Sequence, residues 1–112
     1  MRILNLTQKT LLASDARLAD TPISRMTGLL NRTSLSEGEA LIITRCSSIH
    51  MLFMRFPIDV VFVDKAGLVV GVVENIKPYQ FSPVFWKADC AIELPVMTIE
   101  KTRTALGDQI SY

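Results

Sequence analysis

The sequence predicts a mainly β protein: a compact β-sandwich or barrel with two short helices. Three observations carry this expectation. Ile58 to Val63 and Leu68 to Glu74 are short runs rich in Val and Ile, joined by Asp64-Lys65-Ala66-Gly67. That joint has the composition of a tight hairpin loop, with glycine supplying the positive φ. Ala88 to Leu94 alternates, with Ala88, Cys90, Ile92 and Leu94 facing one way and Asp89, Ala91 and Glu93 the other, as a strand does. Helical start and stop signals occur at only two places.

Taken in order, Thr10 to Ala13 reads as a short strand. Thr21 is an N-cap and Pro22 the first helical residue, where its missing N–H costs nothing. Ile23, Met26, Leu29 and Leu30 follow at helical spacing on one face, so this helix is expected to run to about Asn31 and to bury that face. Gly28 lies inside it and would weaken it by about 1 kcal/mol relative to alanine, which suggests a close approach by another backbone. Ser34 to Glu39 is a turn, and Ala40 to Thr44 a short apolar strand. The hairpin strands are apolar on both faces, which places them inside the fold.

Asn75 to Trp86 holds Pro78 and Pro83 and resists regular structure. Pro95 stops the alternating strand. Thr98 or a neighbour caps a second helix, about Ile99 to Leu106, with Gly107 as its C-cap. Gln109 to Tyr112 forms a last strand.

A chain of 112 residues fits one domain, residues 1–112. With 49% apolar residues, it can build a core without disulfide or metal staples. Twelve basic residues face eleven acidic ones, so the basic stripe of a nucleic-acid binder is not expected, nor is a polybasic membrane patch. No apolar run approaches the roughly twenty residues that span a bilayer, and the first twenty residues lack the apolar centre of a secretory signal. A cytoplasmic protein that binds neither nucleic acid nor membrane is the expectation. Cys46 and Cys90 lack CxxC or CxxH spacing and read as free, buried thiols. A disulfide and a shared metal site are the alternatives.

Several short pieces, in order, carry a family resemblance. They are Arg25-Met26-Thr27-Gly28-Leu29-Leu30 with Arg32, Gly38 to Ile42, His50-Met51-Leu52-Phe53-Met54 and Pro57-Ile58-Asp59-Val60-Val61-Phe62-Val63-Asp64 with Gly67. Ile92-Glu93-Leu94-Pro95 and Gly107-Asp108 complete the set. From about Leu11 to the C-terminus the chain resembles the uncharacterised bacterial and archaeal family known as domain of unknown function 192. Where many members read Phe-Trp-Met-Lys-Asn-Thr, this chain reads Phe53-Met54-Arg55-Phe56, so it resembles a variant branch. The resemblance implies a compact β-rich sandwich or barrel with small helical additions, and brings no established catalytic activity.

Four polar residues sit in apolar surroundings on separate segments: Arg25, His50, Asp59 and Glu93. Burying such groups without partners costs several kcal/mol. If the fold brings them together they form a ligand site, with Arg25 able to hold a carboxylate in a bidentate fork and His50 able to titrate near neutrality. The competing reading is a network that pins strands and a helix together. His50, Met51, Met54, Cys46 and Cys90 suggest a soft metal, but on a strand Met51 points away from His50 and Met54, and no metal or other cofactor is expected. No GxSxG elbow and no phosphate loop is present.

The second candidate is the aromatic loop carrying Tyr79, Phe81, Phe85 and Trp86. Such a loop either forms a partner or ligand rim or folds inward to close one end of a barrel. The resulting order of functions is a binding module for a small molecule or peptide, then an accessory or interaction protein (a homodimer included), then a hydrolase using His50 with Asp59 or Glu93.

Overall fold

The computed structural model describes all 112 residues, Met1 to Tyr112. Eight strands and two helices follow in the order β1 Ile3–Asn5, β2 Thr10–Ala13, β3 Asp15–Ala19, α1 Pro22–Thr27, β4 Glu39–Thr44, β5 Ile58–Val63, β6 Val69–Ile76, β7 Cys90–Leu94, α2 Thr98–Thr102 and β8 Ile110–Ser111. They form a three-stranded sheet, β2-β1-β8, and a five-stranded sheet, β3-β4-β7-β5-β6. Only the β3–β4 pair is parallel. The sheets pack face to face and do not close into a barrel. Of the two architectures the sequence allows, the sandwich is the one adopted.

The five-stranded sheet is covered on both faces. On one, Val61 and Val63 of β5 and Ile92 and Leu94 of β7 pack with Ile3, Leu12 and Ile110 of the small sheet and Ile99 of α2. On the other, Val60, Phe62 and Ala91 pack with Leu29, Ile49, Met51 and Met54 from irregular segments. Every residue of β5 and β7 is therefore buried, which is what strands apolar on both faces require. The β5–β6 joint forms as expected, with Gly67 at φ 83°.

Phe85 folds onto the second face, its ring 4.7 Å from that of Phe62. It lies against Gly71 of β6 so closely that a Cβ there would come within 2.5 Å of the ring. Glycine is the residue that lets the ring reach the sheet.

The helices depart from the sequence pattern. The cap of α1 forms as expected: the Ser24 N–H donates to Thr21 Oγ1 at 3.1 Å, with Pro22 in the first turn. The helix stops at Thr27, however: Gly28 still donates the ordinary helical bond to the Ser24 carbonyl at 2.9 Å, but its φ of 44° and ψ of −118° turn the chain out of the helix. Leu29 is buried beyond this stop, while Ile23 and Met26 stay 75% and 77% exposed. The expected buried helical face is thus broken by a chain reversal.

Helix α2 is also shorter than expected. It ends with Arg103, not Gly107, as its C-cap, and its N-cap is Met97, which makes no side-chain cap bond. Thr98 Oγ1 donates instead to the Pro95 carbonyl at 2.8 Å. The short strands β1 and β3 are additions that the sequence pattern did not reveal.

Candidate functional site

The four embedded polar residues do not meet at one point, and strand parity explains why. Residues in register across a sheet share a face. Asp59 is in register with Leu94, and Val60 with Glu93. The two carboxylates therefore lie on opposite faces of the five-stranded sheet.

Asp59 is fully buried on the face toward the small sheet and α2. Its Oδ1 accepts the Asn75 N–H at 2.9 Å and its Oδ2 the Ile99 N–H at 3.0 Å. Asn75, at φ 52°, sits where β5 and β6 slip register, and Ile99 is in the first turn of α2. Asp59 supplies from a distant strand the acceptor that Met97 lacks, and it ties a bulge to a helix start. It lies on the opposite face of the sheet from Glu93 and apart from the other three residues of the expected cluster.

Glu93, by contrast, faces α1 and the β4–β5 connection. It lines a recess of about 120 Å³ together with Arg25, Gly28, Cys46 and His50, with Leu29, Leu30, Ile43 and Met54 among its apolar walls. The recess opens into a wider cleft of about 600 Å³ that shares Arg25, Met26, Leu30, Ile43, Cys46 and His50 and adds Pro22 and Arg45. That is the size range of small-ligand sites.

Glu93 is buried, with 6% of the residue exposed. It takes part in no ion pair and no side-chain hydrogen bond, and neither of its oxygens is sealed off from the recess. Burial alone raises its pKa from 4.5 to about 7. Gly28 stands across the recess, where a Cβ would lie 3.9 Å from Oε1. Its neighbours in register, Leu41 of β4 and Val60 of β5, are apolar. Burial likewise raises the Cys46 thiol, offset in part by the Ser48 backbone hydrogen bond. Cys46 and Cys90 are both free.

His50 is exposed at the mouth of the recess, and the Leu52 N–H reaches its Nδ1 at 3.4 Å. It makes no ion pair with Glu93 or Asp59, so the structure lacks the close contact that a His–carboxylate acid–base pair requires. No group of three or more His, Cys, Asp or Glu side chains is arranged to hold a metal.

The aromatic loop divides among three places. Backbone bonds stitch it to the His50 segment: Tyr79 N–H to Met51 O at 2.7 Å, Met51 N–H to Gln80 O at 2.8 Å, and Ser82 N–H to Ile49 O at 2.9 Å. Phe81 consequently stands beside His50, ring centres 6.4 Å apart, and Tyr79 packs edge-on to Phe53 at 6.2 Å. Phe85 is part of the core. Trp86, 87% exposed, lies by the β5–β6 turn near Lys65 and Ala66, away from the recess. Of the four only Phe81 stands beside His50, and none of them lines the recess or the cleft.

Sequence reading did not single out Gly28 and Cys46 as lining residues. The signal for Gly28 was present, a glycine in an otherwise helical run, but what approaches it is a carboxylate. A separate groove of about 370 Å³ lies between β2 and α2. Its charged residues, Glu37 and Lys101, are solvated and 4.0 Å apart, so it holds no buried charge in need of a partner.

No helix is long and apolar enough to cross a membrane. The model of the family described as Uncharacterized ACR, DUF192, matches residues 3–112. A UPF0127 protein of Thermococcus sibiricus (strain DSM 12597 / MM 739) is 31% identical over 114 residues, covering 98% of this chain and 73% of the relative. Two solved structures share the fold. One is a protein of unknown function from Novosphingobium aromaticivorans DSM 12444, at TM-score 0.85 and 20% identity over 99% of this chain and 82% of that one. The other is a proposed transcription regulator from Sinorhizobium meliloti 1021, at TM-score 0.80 and 18% identity over 98% and 89%. At these identities the likeness to both concerns the fold alone.

Proposed function

The chain belongs to the uncharacterised family DUF192, and within it we propose that this protein is a binding module for a small molecule, with the Glu93 recess as its site. The observation that carries this reading is Glu93 itself. A buried carboxylate with no hydrogen-bond or ion-pair partner costs folding free energy. It is tolerated most readily where a ligand supplies the missing partner. The apolar walls, the few polar groups converging from Arg25, His50 and Cys46, and the adjoining 600 Å³ cleft fit the usual makeup of such sites.

Native mass spectrometry of the purified protein tests this. A non-covalent adduct of defined mass is expected, released on stronger activation and absent from the Glu93→Gln protein. A bare chain mass across preparations, with no adduct regained after exposure to a metabolite extract, would argue against it.

One observation favours a second reading, an accessory protein that binds another protein. Trp86, Phe81 and Tyr79 expose 87%, 67% and 60% of their surface, and large exposed aromatics are enriched at interfaces. The same spectra distinguish the two readings, because a dimer mass without a ligand adduct supports the second.

A further inference from the structure

We propose that the Glu93 recess takes the primary ammonium group of an aliphatic amine, with the alkyl chain lying along the apolar walls toward the outer cleft. This rests on the binding-module reading and gives it a ligand class.

Four features of the recess lead to this class. Glu93 needs a donor, and the fold supplies none: Leu41 and Val60 flank it in register, and Arg25 lines the recess without pairing to it. Gly28 keeps that side of Oε1 free of any side chain, since an added Cβ would sit 3.9 Å from the oxygen, in van der Waals contact with it. The volume, about 120 Å³, holds a compact head group with a few methylenes, roughly four waters' worth at about 30 Å³ each. An ammonium is a compact point charge with three donors, which suits a carboxylate with two free oxygens. Finally, Met26, Leu29, Leu30 and Met54 offer apolar surface to the chain that follows.

The charged and titratable groups around Glu93 are Arg25 from α1 and Cys46 and His50 from the β4–β5 connection. Strands β4 and β5 present none beside it. Arg45, which lines the outer cleft and not the recess, disfavours a second cation at the far end of the ligand, so a monoamine is the class indicated. Burial holds the pKa of Glu93 at about 7, so ammonium binding strengthens as the carboxylate ionises.

The test is a titration of the full-length ¹⁵N-labelled protein with n-butylamine, 1-butanol and butyrate, followed by amide chemical shifts. Butylamine is expected to shift the amides of Gly28, Leu29, Cys46 and Glu93 saturably. Its affinity should be about tenfold higher at pH 8 than at pH 6, as the ionised fraction of Glu93 rises from about one tenth to about nine tenths. Glu93→Gln should abolish butylamine binding while its spectrum stays dispersed. The pH series on the unaltered chain tests the proposal independently of that variant. Butyrate or butanol binding more tightly than butylamine would overturn the ammonium assignment and leave the recess as a ligand site. A pH-independent butylamine affinity that survives in Glu93→Gln would do the same. No saturable response to any of the three probes would overturn the ligand class, and the binding-module reading would then stand or fall on the adduct search.

Discussion

The Asp59 carboxylate accepts the N–H of Ile99 at 3.0 Å, forty residues further along the chain, and thereby caps a helix whose own N-cap residue cannot. Its other oxygen accepts the N–H of Asn75 at the β5–β6 register slip. One buried side chain thus joins β5, inside the large sheet, to α2 and to the edge strand β6.

Replacing Asp59 by alanine leaves both donors without their acceptor. Each buried, unsatisfied polar group costs about 1–3 kcal/mol, so Asp59→Ala should lose about 2–6 kcal/mol in urea unfolding. Asp59→Asn keeps one acceptor oxygen and sets an amide donor against the other N–H, so it should lose less than the alanine variant. A loss under about 1 kcal/mol for the alanine variant would mean that the two bonds are not holding α2 and the bulge in place.

The Gly71–Phe85 contact should appear as coupling. Gly71→Ala pushes a methyl group into the Phe85 ring, an overpacking that typically costs about 1–3 kcal/mol. In a Phe85→Ala background the obstacle is gone, and Gly71→Ala should become nearly neutral. A double-mutant cycle from denaturant curves reads this directly, and additive costs would contradict the packing described.

Glu93 should make the protein less stable as pH rises toward neutrality. Its folded pKa, about 7, lies above the ordinary 4.5. The folded chain therefore keeps a proton that the unfolded chain releases across that interval. The stability this contributes is complete below about pH 4.5 and is lost as pH climbs to about 7, a span of about 3 kcal/mol at about 1.4 kcal/mol per unit. Glu93→Gln does not titrate, so its stability relative to the unaltered chain should rise by about 2–3 kcal/mol between pH 5 and pH 8. A constant difference across that range would show that Glu93 is solvated or paired in solution.

Asp108 should act in the opposite direction, at the acid end. Burial opposes its ionisation, but the Asn5 side chain, the Ala105 N–H and Gln8 donate to it and together hold its pKa below the ordinary 3.8. A lowered folded pKa contributes stability that is present above the unfolded value and is lost as pH falls through the folded one. Asp108→Asn should therefore be less stable than the unaltered chain at pH 6, with the gap narrowing below about pH 4. Thermal unfolding at a series of pH values checks this, and a gap that widens in acid would refute it.

Much of the fold was legible in the sequence because its signals are local. The Asp64–Gly67 turn, the period-2 alternation ending at Pro95 and the Thr21-Pro22 helix start depend on residues a few positions apart, and each appears where the pattern puts it. The brief strands β1 and β3 were not legible. Ile3–Asn5 is only three residues long, and Asp15–Ala19 carries two charges and is held mainly by its parallel pairing with β4.

The candidate site divides the same way. The sequence by itself marked Arg25, His50, Asp59 and Glu93 as polar residues among apolar neighbours, and alternation fixed which residues share a face within each strand. It could not relate the faces of β5 and β7, because a shift of one residue in pairing moves every side chain to the other side of the sheet. Only the tertiary register, Asp59 against Leu94 and Val60 against Glu93, sends one carboxylate to two backbone donors and leaves the other unpartnered over a recess. The same holds for α1. Its apolar spacing is written in the sequence, but the chain reversal at Gly28 buries Leu29 and leaves Ile23 and Met26 in solvent, since the second face of the sheet is already covered by residues from elsewhere in the chain.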